Sequence, residues 1–197
     1  GKTTPYNITK LIKEAHMDNG ASSYLRFLND DREGFVQLVK DYKDGLVMFL
    51  DCLTNDIHIA EEAADETFLK LYVDKPKYKA AHSFKTWLYT IGKNIALNYM
   101  KKYKKHKNMP IEDYFYLCDE EDIEGNYIKS EENLRVHRAI RNLKKEYANV
   151  LYLVYFEDMT NAETAEVIGK STKQVADLLY RAKKALKSEL EKGEQNG

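Results

Sequence analysis

The sequence predicts an all-α fold: two small helical domains, a helical bundle and then a helix-turn-helix, joined by a flexible acidic linker. Three observations predict it. Apolar residues recur at helical spacing along most of the chain, and no alternating strand pattern stands out. Only 3 prolines and 9 glycines interrupt 197 residues. Charge is segregated: Lys101, Lys102, Lys104, Lys105 and Lys107 crowd one stretch with His106, and Asp119, Glu120, Glu121, Asp122 and Glu124 follow. That acidic stretch has weak apolar periodicity, lies between Pro110 and Gly125, and reads as a linker.

The elements follow in order. His16-Met17 resembles a cloning junction ahead of a start methionine, so residues 1–16 read as added or disordered sequence. A genuine N-terminal extension is the alternative. Residues 17–106 make the first domain, with at least three helices. Phe35, Leu38, Val39, Tyr42, Leu46, Phe49, Leu50 and Leu53 hold helical spacing. Ala60, Ala64, Phe68 and Leu71 form a second stripe, and Phe84, Leu88, Ile91, Ile95 and Tyr99 a third. Three amphipathic helices can bury one shared core. Residues 107–133 are the linker, 134–192 the second domain and 193–197 a tail.

The second domain carries the most specific local signal. Thr160 with Glu163 makes one capping box, and Ser171 with Gln174 a second. In each, the hydroxyl accepts an orphan backbone N–H and the residue three on returns the bond. Gly169 between them is suited to end the first helix. A short helix, a tight turn and a longer helix form the geometry that sets a helix into a DNA major groove. In the longer helix Val175, Leu178, Leu179, Ala182 and Leu186 repeat on one face and would pack inward. Lys173, Asp177, Tyr180, Arg181 and Lys184 repeat on the other, and are suited to phosphates and base edges. An ordinary solvated helix face is the plain alternative.

Two faces of the first domain also invite function. Trp87, Asn94, Asn98, Lys101 and Lys105 fall on one line of the third helix, about a quarter turn from its apolar stripe at ~100° per residue. A ring for stacking, amides for base edges and lysines for phosphates suit single-stranded DNA. The loop from Lys75 to Ser83 is polar and basic and could cup an unpaired base. The competing account makes Trp87 a half-buried core aromatic. Glu61, Glu62, Asp65 and Glu66 sit around the exposed side of the second helix. They form either a solvated acidic face or a dock for a basic partner.

Bulk properties exclude other classes. Charged residues are 32% and hydrophobic ones 43%, which suits a soluble globular protein. No apolar run approaches membrane-spanning length, and no signal-peptide pattern opens the chain, so no membrane insertion is expected. Cys52 and Cys118 are isolated and read as free thiols in a reducing cytoplasm. Net charge is −1, so charge distribution rather than overall basicity must carry any case for nucleic acid. The 5 histidines are scattered, and no phosphate-cradling glycine loop, HExxH or nucleophile motif occurs. No metal, no cofactor and no catalytic residue is therefore expected.

These segments resemble a known family. AEEAADETFLKL (60–71) and FKTWLYTIGKNIALNYMKK (84–102) are similar to region two of bacterial sigma-70-family factors of the extracytoplasmic-function class. Residues 143–186 resemble region four, and the resemblance runs from Phe35 to Leu190. It implies a promoter-specificity subunit of core RNA polymerase. Glu61, Glu62, Asp65 and Glu66 would meet the clamp helices of the largest polymerase subunit. Ala80, Ala81, His82, Ser83, Trp87, Asn94, Asn98, Lys101, Lys102 and Lys105 would open and capture the minus-ten element. Ser171, Thr172, Lys173, Gln174, Asp177, Tyr180, Arg181 and Lys184 would face the minus-thirty-five element. Region four would also meet the flap of the second subunit. An anti-sigma factor is a further partner that the resemblance allows, and the acidic linker could mimic RNA in the exit channel.

The chain departs from the family at several of these positions. Asp65 stands where the family usually has Gln, and Asn98 where it has Asp. Lys101 and Lys102 replace arginines, which loses fork-like hydrogen bonding. A family-typical Gly-Thr-Val-Lys-Ser-Arg run is Lys173-Gln174-Val175-Ala176-Asp177-Leu178 here. Family contacts to the minus-thirty-five element therefore do not transfer directly. A stand-alone helix-turn-helix regulator of duplex DNA is the main rival, and it would leave the Trp87 face and the acidic second helix without a role.

Overall fold

The computed structural model of the protein describes residues 19–79, 82–107 and 131–195. These residues form eight α-helices and no strand. The first half holds α1 (Asn19–Leu28), α2 (Arg32–Thr54), α3 (Ile57–Asp74) and α4 (Phe84–Lys107). The second holds α5 (Glu131–Arg141), α6 (Lys145–Tyr155), α7 (Asn161–Ile168) and α8 (Thr172–Gln195). The all-α class read from the sequence is thus the class observed. The His16-Met17 junction and the acidic segment 119–124 lie outside the described residues.

Periodicity alone did not disclose α1, a helix of 10 residues. Its Ala21, Tyr24 and Phe27 turn inward at helical spacing. Gly34 lets it lie close to α2, because a Cβ there would overlap the backbone of Ser23 and Phe27. Asp31 caps α2 by accepting from the Glu33 N–H, and Asn55 closes it in the left-handed region at φ 59°. Asp56 follows at once as the cap of α3, accepting from the His58 and Ile59 N–H groups. This back-to-back stop and start folds α3 against α2. Leu38, Leu46, Phe49, Leu50, Leu71, Phe84 and Leu88 make the centre of the bundle, each essentially sealed from solvent. All three apolar stripes expected from the sequence point into it.

The helix-turn-helix forms as its caps dictate. Thr160 and Glu163 exchange both bonds of a capping box at the start of α7. Gly169 ends that helix at φ 71°. The Ser171 N–H donates to Gln174 Oε1 at 2.8 Å, and the Gln174 N–H donates to Ser171 Oγ at 3.2 Å, so the second box is closed too. Val175, Leu178 and Ala182 of α8 are buried, while Leu179 and Leu186 pack at the edge.

The two halves do not stand apart. Helix α6 packs on α2, and α7 packs on α4. Every residue from Leu46 to Thr54 is buried, so the C-terminal half of α2 is covered on all sides. Most of the buried apolar residues of both halves belong to one contiguous cluster. A polar seam crosses it. Asp51 of α2 accepts from His137 Nε2 at 3.2 Å and from Arg141 Nε at 3.1 Å, both on α5. Arg141 also reaches Asn55 Oδ1, and Lys85 of α4 pairs with Glu157 at 3.0 Å.

Candidate nucleic-acid interface

Helix α4 starts through Ser83, whose hydroxyl accepts from the Thr86 N–H and bonds the Thr86 hydroxyl at 2.8 Å. That cap places Trp87 at the mouth of the loop from residue 75 to residue 83. The ring is half-buried and lies 5.3–5.6 Å from the rings of Tyr24, Tyr78 and Phe84. Tyr78 ties the loop down by donating to the His82 carbonyl at 2.6 Å. Tyr24 does the same at the other end, donating to the Pro76 carbonyl at 2.7 Å. Trp87 therefore has one side in an aromatic cluster and one side available. Asn94, Asn98, Lys101 and Lys102 are exposed further along α4. Ala80, Ala81 and the side chain of Lys105 lie outside the described residues.

The acidic face lies across α3. Glu62, Asp65 and Glu66 are exposed and Glu61 half-exposed. Glu62, Asp65 and Glu66, with Leu69, Val73 and Tyr99, line an open groove between α3 and α4, and Glu61 lies outside it. Leu69 and Val73 are among the most exposed large apolar residues in the protein, at 60% and 66%. The groove thus sets exposed apolar surface beside carboxylates. Asp65 pairs with Lys43 at 2.6 Å. Tyr99 donates a short hydrogen bond to Glu66, and Tyr103 donates to Glu62 at 3.3 Å. The bond to Glu66 first, then burial and the surrounding carboxylates, push the Tyr99 phenol up to about 12. Lys102 stands over the Tyr99 ring at 5.7 Å. Tyr99 thus joins the acidic face to the cationic face of α4.

On α8 the outer face is open as expected. Ser171, Thr172, Lys173, Gln174, Asp177, Tyr180, Arg181 and Lys184 are all exposed, Tyr180 most of all at 75%. Arg181 Nε donates to the Asp177 carbonyl at 3.3 Å, which holds the guanidinium along the helix. The Ser171 and Gln174 side chains are already engaged in the capping box.

Sequence reasoning missed the groups where α7 meets α4. Glu163 accepts from the Thr86 hydroxyl at 3.4 Å, and Glu166 faces His82 at 3.5 Å. Burial pushes the Glu163 carboxyl up. Bonds from the Thr160 N–H and from the Ser83, Thr160 and Thr86 hydroxyls outweigh it and hold the carboxyl below its ordinary value. Burial lowers the Lys93 ammonium, with Glu166 acting in the opposite direction. Thr86 and Lys93 are seven apart and so share a helix line, which was the available signal.

Two family models match this arrangement. Sigma-70 region 2 matches residues 38–106, and Sigma-70, region 4 matches residues 133–186. The chain belongs to the sigma-70 family. Among curated proteins it is similar to the ECF RNA polymerase sigma factor SigW of Bacillus subtilis, at 24% identity over 81% of this chain and 90% of that one. It is also similar to the RNA polymerase sigma factor YlaC of the same organism, at 26% over 83% and 96%. Within the family it falls with the extracytoplasmic-function class. Among solved structures the fold matches the sigma factor RpoE in complex with the anti-sigma factor NepR from Bartonella quintana. The TM-score is 0.64 and the identity 19%, over 80% of this chain and 96% of that one. CnrH in complex with the cytosolic domain of CnrY matches with a TM-score of 0.59 and 19% identity, over 88% and 95%. No helix among the described residues of this sigma-70 protein is long and apolar enough to cross a membrane.

Proposed function

We propose that this sigma-70 protein works as a cytoplasmic specificity subunit of RNA polymerase, with no catalytic chemistry of its own, and with three working faces. The acidic face of α3 docks the clamp helices of the largest subunit through Glu61, Glu62, Asp65 and Glu66. The α4 face captures the melted minus-ten strand: Trp87 stacks, Asn94 and Asn98 read base edges, and Lys101 and Lys102 hold phosphates. The loop around His82 and Ser83 receives an unstacked base. The outer face of α8 enters the major groove at the minus-thirty-five element, and region four meets the flap of the second subunit. An anti-sigma factor is a further candidate partner, since the solved RpoE relative named above holds one.

The observation that carries this reading is the pairing of faces within the first domain. An acidic, partly apolar groove and an amide-and-lysine face flank the same two helices, joined at Tyr99. A stand-alone duplex-DNA regulator needs neither. In vitro transcription with core polymerase on a promoter library tests it. Transcripts should start from a common two-element motif only when this protein is added. Tight motif binding without core polymerase would favour the stand-alone regulator.

A further inference from the structure

Helices α3 and α4 bring opposite charges to one edge of the first domain. A groove beside the acidic one is lined by Ile95, Asn98, Lys101 and Lys102. Glu66 and Tyr99 line both grooves, so this pair is the wall between them. Lysine and carboxylate side by side ordinarily pair. Two other carboxylates of α3 do so: Asp65 with Lys43 at 2.6 Å and Asp74 with Lys70 at 2.9 Å. At the wall, Tyr99 stands between the charges. Its hydroxyl donates to Glu66, and the Lys102 ammonium stands over its ring, 5.7 Å from the centroid. The bond to Glu66, foremost, pushes the phenol up to about 12, so the hydroxyl remains a donor well past neutral pH. One turn further along α4, Tyr103 donates to Glu62 at 3.3 Å in the same manner.

We propose that Tyr99 is a positioning residue for strand capture: it keeps Lys102 off Glu66, so that the ammonium stays available to a DNA phosphate and the carboxylate to a basic partner. The proposal rests on the strand-capture reading of α4 and the core-docking reading of α3.

Two arguments make the tyrosine decisive. The first is energetic. At an exposed site an ion pair and a cation–ring contact are of similar strength. A carboxylate that already accepts a hydroxyl bond has less to offer an ammonium, so the ring holds Lys102 while Tyr99 is present. Without the ring and hydroxyl, the Glu66–Lys102 pair is the arrangement that remains. That pair would have to break before Lys102 could take a phosphate, and the strand would lose one cation. The second argument is mobility. Tyr99 is half-buried and packs against the core, so its place is set by α4. Glu66 and Lys102 are exposed and can change partners. A fixed group between two movable charges decides which contacts they make.

The test uses core polymerase loaded with the full chain and a labelled, mixed-sequence single-stranded DNA oligonucleotide. Affinity is measured against salt concentration, with core in enough excess to saturate every variant. Lys102→Ala is the reference. Losing one phosphate contact on a single strand lowers the slope of log affinity against log salt by about 0.7. Tyr99→Leu should lower it equally, and Lys102→Ala added to Tyr99→Leu should lower it no further. Glu66→Gln added to Tyr99→Leu should restore the parent slope, because an amide has no charge to hold the ammonium. A residue needed only for packing would not be rescued by that change. Thermal unfolding checks each fold. Tyr99→Phe keeps the ring and loses only the hydroxyl, and it should show a smaller loss that Glu66→Gln again restores. A parent slope in both Tyr99 variants, beside a lowered one in Lys102→Ala, overturns the positioning role. A loss that Glu66→Gln leaves in place overturns it too, and strand capture survives either result. A parent slope in Lys102→Ala, or no strand binding by the parent complex, removes the capture reading at this lysine and the proposal with it.

Discussion

Asp51 and His137, 86 positions apart, meet at 3.2 Å across the seam between the two domains, with side chains 0% and 1% exposed. Arg141 completes the group from the solvent side at 13%. The buried carboxylate is the shared acceptor, so its loss strands two donors at once. Asp51→Ala should therefore cost about 3 kcal/mol, the usual penalty for leaving half of a buried pair. Urea unfolding should also change shape. One cooperative transition in the parent should become two in the variant, because the domains no longer melt together. A single unshifted transition would show that the seam contributes little.

What the sequence made legible was local. Thr160 with Glu163 and Ser171 with Gln174 are three residues apart, and a box of that kind is specified by its own stereochemistry. The apolar stripes of α2, α3 and α4 were legible for the same reason, since helical period alone decides which side is buried. Domain docking was not, because no period links Asp51 to His137. The trace it left was a carboxylate inside the run Leu46–Leu53, where apolar residues surround the helix rather than marking one face. A helix apolar all round is covered all round, and the second domain is the cover. Helix α1 escaped because its stripe of Ala21, Tyr24 and Phe27 is only two turns long. The reading faces lie between these cases: their residue types were visible, but whether they are free or covered depends on the docking.

Glu163 links the fold of α7 to acid stability. Its carboxyl is held below its ordinary value in the folded protein. A depressed acid contributes stability that is fully present above the unfolded value, ~4.3 for glutamate, and lost as pH falls through the folded value. Unfolding followed from pH 6 down should show that loss. Glu163→Gln retains an acceptor for the Thr160 N–H and should flatten this part of the profile while leaving the helix in place. Equal acid sensitivity in both proteins would assign the loss to other carboxylates.

Tyr99 offers the converse sign. Its phenol is raised to about 12 by the bond it donates to Glu66. That contribution is present below the unfolded value, ~10, and lost as pH rises through the folded value. Glu66→Gln should return one tyrosine towards 10 in an ultraviolet difference titration against the parent. Reversing charge at Asp65 and Glu66 together should weaken association with core polymerase, while circular dichroism stays unchanged because both side chains are exposed. Unchanged core affinity at moderate salt would remove the docking assignment of α3.

Trp87 is held by three aromatic neighbours yet remains half-buried. Trp87→Ala should thus cost about 2 kcal/mol of stability, below the 3–5 of a full core truncation. Its effect on promoter melting should be larger than on duplex binding, because stacking at about 1–3 kcal/mol per base is gained only after the strands part. Trp87→Phe keeps a ring in the cluster and should restore stability before it restores melting. Permanganate footprints of normal strength with a folded Trp87→Ala protein would make this residue structural only.

Asp177 and Arg181 lie one turn apart on the exposed face of α8. The Arg181 guanidinium is held to the Asp177 carbonyl at 3.3 Å, so the two side chains would approach DNA together. Asp177 repels phosphates and can accept from cytosine N4, so it should restrict the sequences tolerated and weaken non-specific binding. Asp177→Ser should broaden the upstream element selected from a promoter library and strengthen binding to random duplex. Arg181→Ala separates two roles. If Arg181 reads a base edge, the loss should be about 1–3 kcal/mol and confined to one position. If it holds a phosphate, affinity should fall evenly across sequences, and the salt dependence of binding should flatten by about one ion. An upstream element left unchanged by both substitutions, and also by Gln174→Ala and Tyr180→Ala, would place the duplex-reading surface elsewhere than on this face of α8.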